Sequence, residues 1–123
     1  MNNYQITVDQ KNKLVKIVWN SYPEKPDEIA ASCKELENTI KRFRKNEPRF
    51  LADISHVDAR FLPPEAGKAL HDTTVFLLSY VSKFAQVVPG LVFKKSMESV
   101  QGGQIGAIKS FLTEREAMDY LLS

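Results

Sequence analysis

Apolar and polar side chains alternate at the start of the chain. Over residues 4–9 the apolar side chains of Tyr4, Ile6 and Val8 fall on one side, which is the pattern of a half-buried strand. Residues 14–19 form a second run that is rich in β-branched and aromatic side chains. The lysines and asparagine between the two runs suit a turn, so the pair predicts an antiparallel hairpin.

A helical pattern follows over residues 27–46. Its apolar side chains recur at steps of three and four and draw one stripe, formed by Ile29, Cys33, Leu36, Ile40 and Phe43. Acidic residues stand at the predicted start, and basic residues crowd positions 41–45 at the predicted end, as the helix dipole favours. Pro48 prevents the helix from continuing.

Three further runs predict strands, over residues 50–54, 84–88 and 105–111. Each run is short and mostly apolar, which is typical of buried strands. They alternate with segments of helical pattern. We therefore expect a mixed, largely parallel sheet with helices packed on it.

Three more helices are predicted between and after these strands. The second helix of the chain begins at the proline pair Pro63-Pro64 and runs to about residue 83. The third covers residues 91–100. Thr113 and Glu116 match a capping box at the start of the last helix, in which each side chain satisfies a free amide. The predicted order is ββαβαβαβα, an α/β fold.

Two short motifs resemble a known family. The segment Asp53-Ile54-Ser55-His56-Val57 resembles the Asp-Leu-Ser-Gly-Val stretch at the third strand of STAS domains. The tail over residues 109–121 is similar to the Phe-x-x-x-Glu-Glu-Ala-x-x-Trp-Leu ending of small bacterial proteins of the SpoIIAA-like (STAS/SEC14-like) branch. With the element order, this resemblance implies one SpoIIAA-like domain over residues 1–123, which acts as a regulatory or interaction module.

The chain departs from that family at its switch. Anti-sigma-factor antagonists of the family carry an Asp-Ser pair in the loop after the third strand, and a partner kinase phosphorylates the serine. The matching positions here are Phe61 and Leu62. Ser55 matches the serine of the strand-end motif, which is not the phosphorylated one. We therefore expect no phosphorylation site and no phosphorylation switch.

Composition and charge limit the remaining possibilities. The chain is 43% hydrophobic and 26% charged, as globular proteins are, and its net charge of +2 is too small to indicate a nucleic-acid partner. Cys33 is the single cysteine, so no intrachain disulfide can form. The sequence shows neither the pattern of a signal peptide nor an apolar run of the ~20 residues that a membrane span needs. We expect a cytoplasmic protein without stable membrane insertion.

A polar loop follows the third predicted strand. His56, Asp58 and Arg60 stand at the carboxyl end of that strand, where open α/β sheets place ligand sites. They are candidates for contact with a ligand or partner, but a solvated turn, in which Asp58 bonds to its own backbone, is the favoured interpretation. His56, Asp58 and the distant His71 fit no zinc pattern, so we expect neither a metal nor a cofactor.

Two other groups have a structural and a functional interpretation. Cys33 lies on the apolar stripe and is interpreted as a buried structural thiol, whereas a nucleophile would need His71 and Asp72 to converge on it. The basic residues over 41–49 suit a helix end stabilised by its dipole. The alternative is contact with a membrane surface, nucleic acid or an acidic partner.

The second predicted helix has more apolar surface than one buried stripe requires. Phe76, Leu77 and Tyr80, together with Phe93 beyond the helix, are therefore candidates for a partner surface or a hydrophobic pocket. The alternative is a central helix that packs on two sides.

Three functional hypotheses follow. The first is a non-enzymatic module that binds an unidentified protein partner or a second copy of itself as a homodimer. The second is a binder of a small hydrophobic, lipid-like or aromatic ligand held between the second and third helices. The third is an enzyme that uses His56 and Asp58 as acid and base.

Overall fold

Five strands form one sheet in the computed structural model, which describes residues 4–21, 25–57, 64–90 and 108–123. The strands are β1 (Tyr4–Asp9), β2 (Leu14–Trp19), β3 (Arg49–Asp53), β4 (Lys83–Val87) and β5 (Ile108–Phe111). The helices are α1 (Pro26–Ile40), α2 (Pro64–Tyr80) and α3 (Glu114–Leu121). The helix predicted over residues 91–100 lies outside the described residues.

The strands stand side by side in chain order, β1-β2-β3-β4-β5. β1 and β2 pair antiparallel as a hairpin, and every later neighbouring pair is parallel. The hairpin turn passes through Lys13, whose φ of 52° is left-handed. The predicted hairpin and the mixed, largely parallel α/β sheet are thus confirmed.

Helix α1 ends earlier than the sequence predicted. The prediction ran to residue 46, but the helix ends at Ile40, and the backbone then forms tighter turns in which the Phe43 amide donates to the Ile40 carbonyl at 3.1 Å. Asn46 completes the change of direction with a left-handed φ of 68°, which asparagine tolerates better than most residues. The basic residues over 41–45 therefore follow the helix and do not lie in its last turn.

Helix α2 also ends before its predicted limit. It stops at Tyr80, and the Ser82 amide donates to the Pro48 carbonyl at 2.8 Å, so the chain turns directly into β4 at Lys83. Strand β3 begins and ends one residue before its prediction. β5 covers Ile108–Phe111 and keeps its predicted end, while residues 105–107 of the predicted strand lie outside the described residues.

Helices α1 and α2 cover one face of the sheet. The core on this side takes alternate residues of the central strands, such as Val15 and Ile17 of β2 and Phe50 of β3. They pack against Ile40 of α1 and Leu77 of α2. The predicted stripe of α1 is buried along its whole length, since Phe43 remains buried although it lies beyond the helix.

Helix α3 covers the opposite face. Its buried Ala117 and Leu121 pack against Leu51 of β3 and against Ala85 and Val87 of β4. Tyr120, which the sequence also predicted to be buried, is half-buried.

The predicted cap of α3 forms in part. The Thr113 hydroxyl oxygen accepts a hydrogen bond from the Glu116 amide at 3.2 Å, as in a capping box. The return contact differs from the prediction, because the Glu116 carboxylate accepts from the Thr113 hydroxyl at 3.0 Å. At the other end of the helix, Lys83 Nζ donates to the main-chain oxygens of Tyr120 at 3.0 Å and Ser123 at 2.9 Å, which holds the last turn on the sheet.

Candidate functional site

A row of side chains with uneven size crosses the sheet face below α1 and α2. The parallel registers place Ile17 of β2 beside Ala52 of β3, and Ala52 beside Gln86 of β4. Gln86 in turn pairs with Ser110 of β5. The Ala52 side chain is much shorter than those of Ile17 and Gln86 on either side. The middle of this row is therefore low, in the sense that its side chain does not reach the helices, and a space is left beneath them.

A cavity of about 250 Å³ occupies this space. Ile17, Ala52 and Gln86 lie on its sheet side, together with Phe50 and Phe84 of the adjacent row. The helical side is formed by Cys33 and Leu36 of α1 and by Leu70, His71, Thr74 and Leu77 of α2. Most of these side chains are apolar, and a few polar groups converge among them, which is the usual composition of a small-molecule site.

Gln86 is a buried polar group of the cavity wall. It lies on a face of the sheet that is mostly apolar, and the residue is only 5% exposed. One N–H of its amide donates to the Ser110 hydroxyl oxygen at 2.9 Å. The amide is thus fixed in the cavity wall by a neighbour in the same row.

Cys33 and His71, which are far apart in sequence, line the same cavity. Burial raises the pKa of the Cys33 thiol, and a hydrogen bond with the Thr73 side chain opposes that shift only in part. The thiol is therefore protonated at neutral pH, whereas a nucleophile needs a lowered pKa. Asp72 does not complete a catalytic group, because it is exposed and is not a lining residue of the cavity.

The strand-end motif forms a tight turn after β3. The buried Asp53 carboxylate accepts hydrogen bonds from the Ser55 amide at 3.0 Å and from the Ser55 hydroxyl at 2.6 Å. The Val57 amide closes the turn on the Ile54 carbonyl at 3.3 Å, and Ile54 also reaches the cavity. This geometry gives the aspartate and the serine of the motif a structural role, that of an Asx-type turn.

Replacing Asp53 with alanine is expected to lower the free energy of unfolding by about 1–3 kcal/mol, because the Ser55 amide and hydroxyl lose their acceptor. Ser55→Ala removes only the hydroxyl bond and should cost about 1 kcal/mol. Urea unfolding followed by circular dichroism measures both. Equal stability of Asp53→Ala and the wild type would show that the turn does not depend on this carboxylate.

The other residues of the predicted loop site are only partly described. His56 lies in the turn after β3 and is exposed to solvent. Asp58 and Arg60 lie outside the described residues, as do Phe61 and Leu62 at the position of the family's switch. The described part of the loop presents one imidazole at the surface.

The apolar residues predicted on the second helix separate into two groups. Leu77 is buried and lines the cavity. Phe76 and Tyr80 stack on each other with ring centroids 5.4 Å apart, and the Tyr80 hydroxyl donates to the Phe43 carbonyl beyond α1. Lys41 Nζ lies 5.2 Å from the centre of the Phe76 ring. Phe76 and Tyr80 therefore hold the segment after α1 against α2, and Phe93 lies outside the described residues.

The described residues contain neither a metal-binding cluster nor a membrane-spanning helix. Within residues 4–21, 25–57, 64–90 and 108–123, no group of three or more His, Cys, Asp and Glu side chains is placed to hold a metal ion. In the same part of the chain, no helix combines the length and the apolar character that crossing a membrane requires.

The architecture is similar to a solved structure. It matches the crystal structure of an uncharacterised protein of the DUF3478 family from Shewanella loihica PV-4, which is described as having a SpoIIAA-like fold. The likeness covers 98% of this chain and 95% of that chain, with a TM-score of 0.73 and 16% sequence identity. The fold is SpoIIAA-like. The fold predicted from the strand-end motif, the tail and the element order is therefore confirmed.

Sequence comparisons find less than the structural one. No protein-family model matches the chain. No curated protein matches it either. At 16% identity, the likeness to the SpoIIAA-like structure concerns the fold alone.

Proposed function

We propose that this protein binds a small hydrophobic ligand in the cavity between α1, α2 and the sheet. The observation that carries the proposal is the cavity itself, about 250 Å³ in volume and lined mainly by apolar side chains. The cavity is partly open to solvent, and a concave, mainly apolar site of this kind with a few polar groups is the usual form of a small-molecule pocket. The small side chain of Ala52, in the middle of the row, accounts for the space in terms of the sequence.

The volume limits the class of ligand. An engineered apolar cavity of about 150 Å³ binds benzene, and pockets for drug-sized molecules begin at roughly 300 Å³. A cavity of about 250 Å³ therefore suits a single aromatic ring with a short chain, or a short alkyl chain. It is too small for the two acyl chains of a phospholipid.

The hypothesis based on sequence put the ligand between the second and third helices. The third, over residues 91–100, lies outside the described residues. The lining residues that are described belong to α1, α2 and the sheet, with Leu36 and Leu77 among them. The apolar stripe of α1 thus has a share in the site as well as in the core.

Binding rather than catalysis is the activity that we infer. His56 is exposed in a turn and does not line the cavity, so it is not positioned there as a base. The Cys33 thiol has a raised pKa, so it is not activated as a nucleophile. Binding to a protein partner or to a second copy stays a prediction with less support. The large apolar side chains that are exposed in the described part of the chain are Val75, Leu112 and Leu122, and single exposed residues of this kind are normal.

Filling the cavity tests the proposal. Ala52→Leu places three extra carbon atoms in the low middle of the row and is expected to weaken binding of propylbenzene at least tenfold. Ala30→Leu, the same change at an exposed position of α1, is the matched control and should bind like the wild type. Isothermal titration calorimetry, with thermal unfolding as a second readout, measures the affinities. No binding of propylbenzene or of short alkyl alcohols by the wild type, or unchanged binding by Ala52→Leu, would contradict a ligand site here.

A further inference from the structure

We propose that Gln86 recognises a neutral hydrogen-bonding group on the ligand, such as a hydroxyl or an amide. The inference rests on the proposed function and deepens it, because it assigns the ligand a chemical class. The ligand becomes a small amphiphile with one uncharged polar group, and not a pure hydrocarbon or an organic anion. The residues that carry the inference are Gln86, Ser110 and their neighbours in the row.

The position of Gln86 is unusual for its residue type. Glutamine is mostly exposed in folded proteins, yet Gln86 is only 5% exposed and belongs to a strand between two parallel neighbours. Phe84, two residues before it in β4, and Val88, just beyond the strand, are both buried and apolar. Burying an amide in such surroundings is costly unless hydrogen bonds compensate for the lost water.

The Ser110 hydroxyl provides one of those bonds and fixes the direction of the amide. A glutamine side chain has two N–H donors and a carbonyl oxygen, and the bond to Ser110 uses one donor. Since Gln86 lines the cavity, the amide can donate to a ligand oxygen and accept from a ligand hydroxyl or amide N–H. Ser110 is the positioning residue of this pair.

The charge of the described lining favours an uncharged polar group. None of the described lining residues is a lysine or an arginine, and the one basic side chain among them, His71, is exposed to solvent. A carboxylate buried against a neutral amide would lose its hydration without gaining a counter-charge, which is far more costly than burying a hydroxyl. A hydroxyl or an amide on the ligand can pair with both the donor and the acceptor of Gln86 without bringing a charge into the cavity.

Three probes with the same skeleton test the inference, namely propylbenzene, phenylpropanol and phenylpropanoate. The wild type is expected to bind phenylpropanol about tenfold more tightly than propylbenzene, as one neutral hydrogen bond provides, and phenylpropanoate most weakly. Gln86→Leu, which keeps the side-chain volume, should remove the preference for the alcohol and leave the affinity for propylbenzene equal or higher. Ser110→Ala should reduce the preference in part, because the amide is no longer held.

The outcomes separate this inference from the proposed function. Equal affinities of the wild type for the alcohol and the hydrocarbon, tighter binding of phenylpropanoate, or a preference that survives in Gln86→Leu would overturn the inference while the cavity remains a ligand site. Failure of the wild type to bind all three probes would overturn both. If Gln86 has only a structural role, Gln86→Leu should change the melting temperature and leave the relative affinities for the three probes unchanged. If Gln86→Leu does not fold, Gln86→Met takes its place.

Discussion

Replacing Phe50 with alanine is expected to lower the free energy of unfolding by about 3–5 kcal/mol. Phe50 is 1% exposed and belongs to β3, with strands on both sides and helices above it. Its ring meets the Phe84 ring edge-on, with centroids 4.8 Å apart, so the substitution removes an aromatic pair as well as buried area. Urea unfolding followed by circular dichroism gives the change in stability.

The control for this substitution is Val75→Ala on α2. Val75 is 45% exposed, and surface changes of this kind usually stay within about 0.5 kcal/mol of the wild type. Phe50 also lines the cavity, so the alanine enlarges a space that already exists. A loss below about 1 kcal/mol would contradict the placement of the Phe50 side chain in this buried core.

The strands could be predicted because their physics is local. Alternation places Phe50 and Ala52 on one face of β3 and Leu51 and Asp53 on the other, whatever the neighbouring strands are. The two faces then require helices on both sides, which the alternation of elements provides. The end of α1 could not be predicted in this way. Phe43 continues the apolar stripe in spacing, although the chain around it has already left the helix.

The cavity depends on information that a single sequence does not display. Ala52 and Gln86 become neighbours only through the register of β3 and β4, and a register is set by the whole packed sheet. Cys33 and His71 likewise line one cavity only when α1 packs on α2. A glutamine inside an otherwise apolar strand was the one signal available in advance, since such a residue is expected to have a partner or a role.

The polar loop shows the opposite case, in which a visible motif has a structural explanation. Asp53 and Ser55 satisfy each other within the turn, so the motif indicates how β3 ends. The same turn directs Ile54 to the cavity and buries Val57 in the core. The motif that indicated the fold therefore also positions a lining residue of the proposed ligand site.

Replacing Leu121 with alanine is expected to lower the free energy of unfolding by about 2–5 kcal/mol. Leu121 is fully buried in the last turn of α3 and packs on the sheet face opposite the cavity, against residues such as Leu51. Because α3 has only eight residues, its own helical tendency is too weak to hold it in place without this contact.

Leu122 offers a matched control, since it is the next residue, has the same side chain and is 46% exposed. Leu122→Ala should change the stability by less than about 0.5 kcal/mol. The cavity lies on the other face, so Leu121→Ala should leave the affinity for phenylpropanol unchanged in the protein that remains folded. Equal losses from both substitutions would place α3 in another orientation, because only a helix with Leu121 directed at the sheet separates two adjacent leucines so strongly.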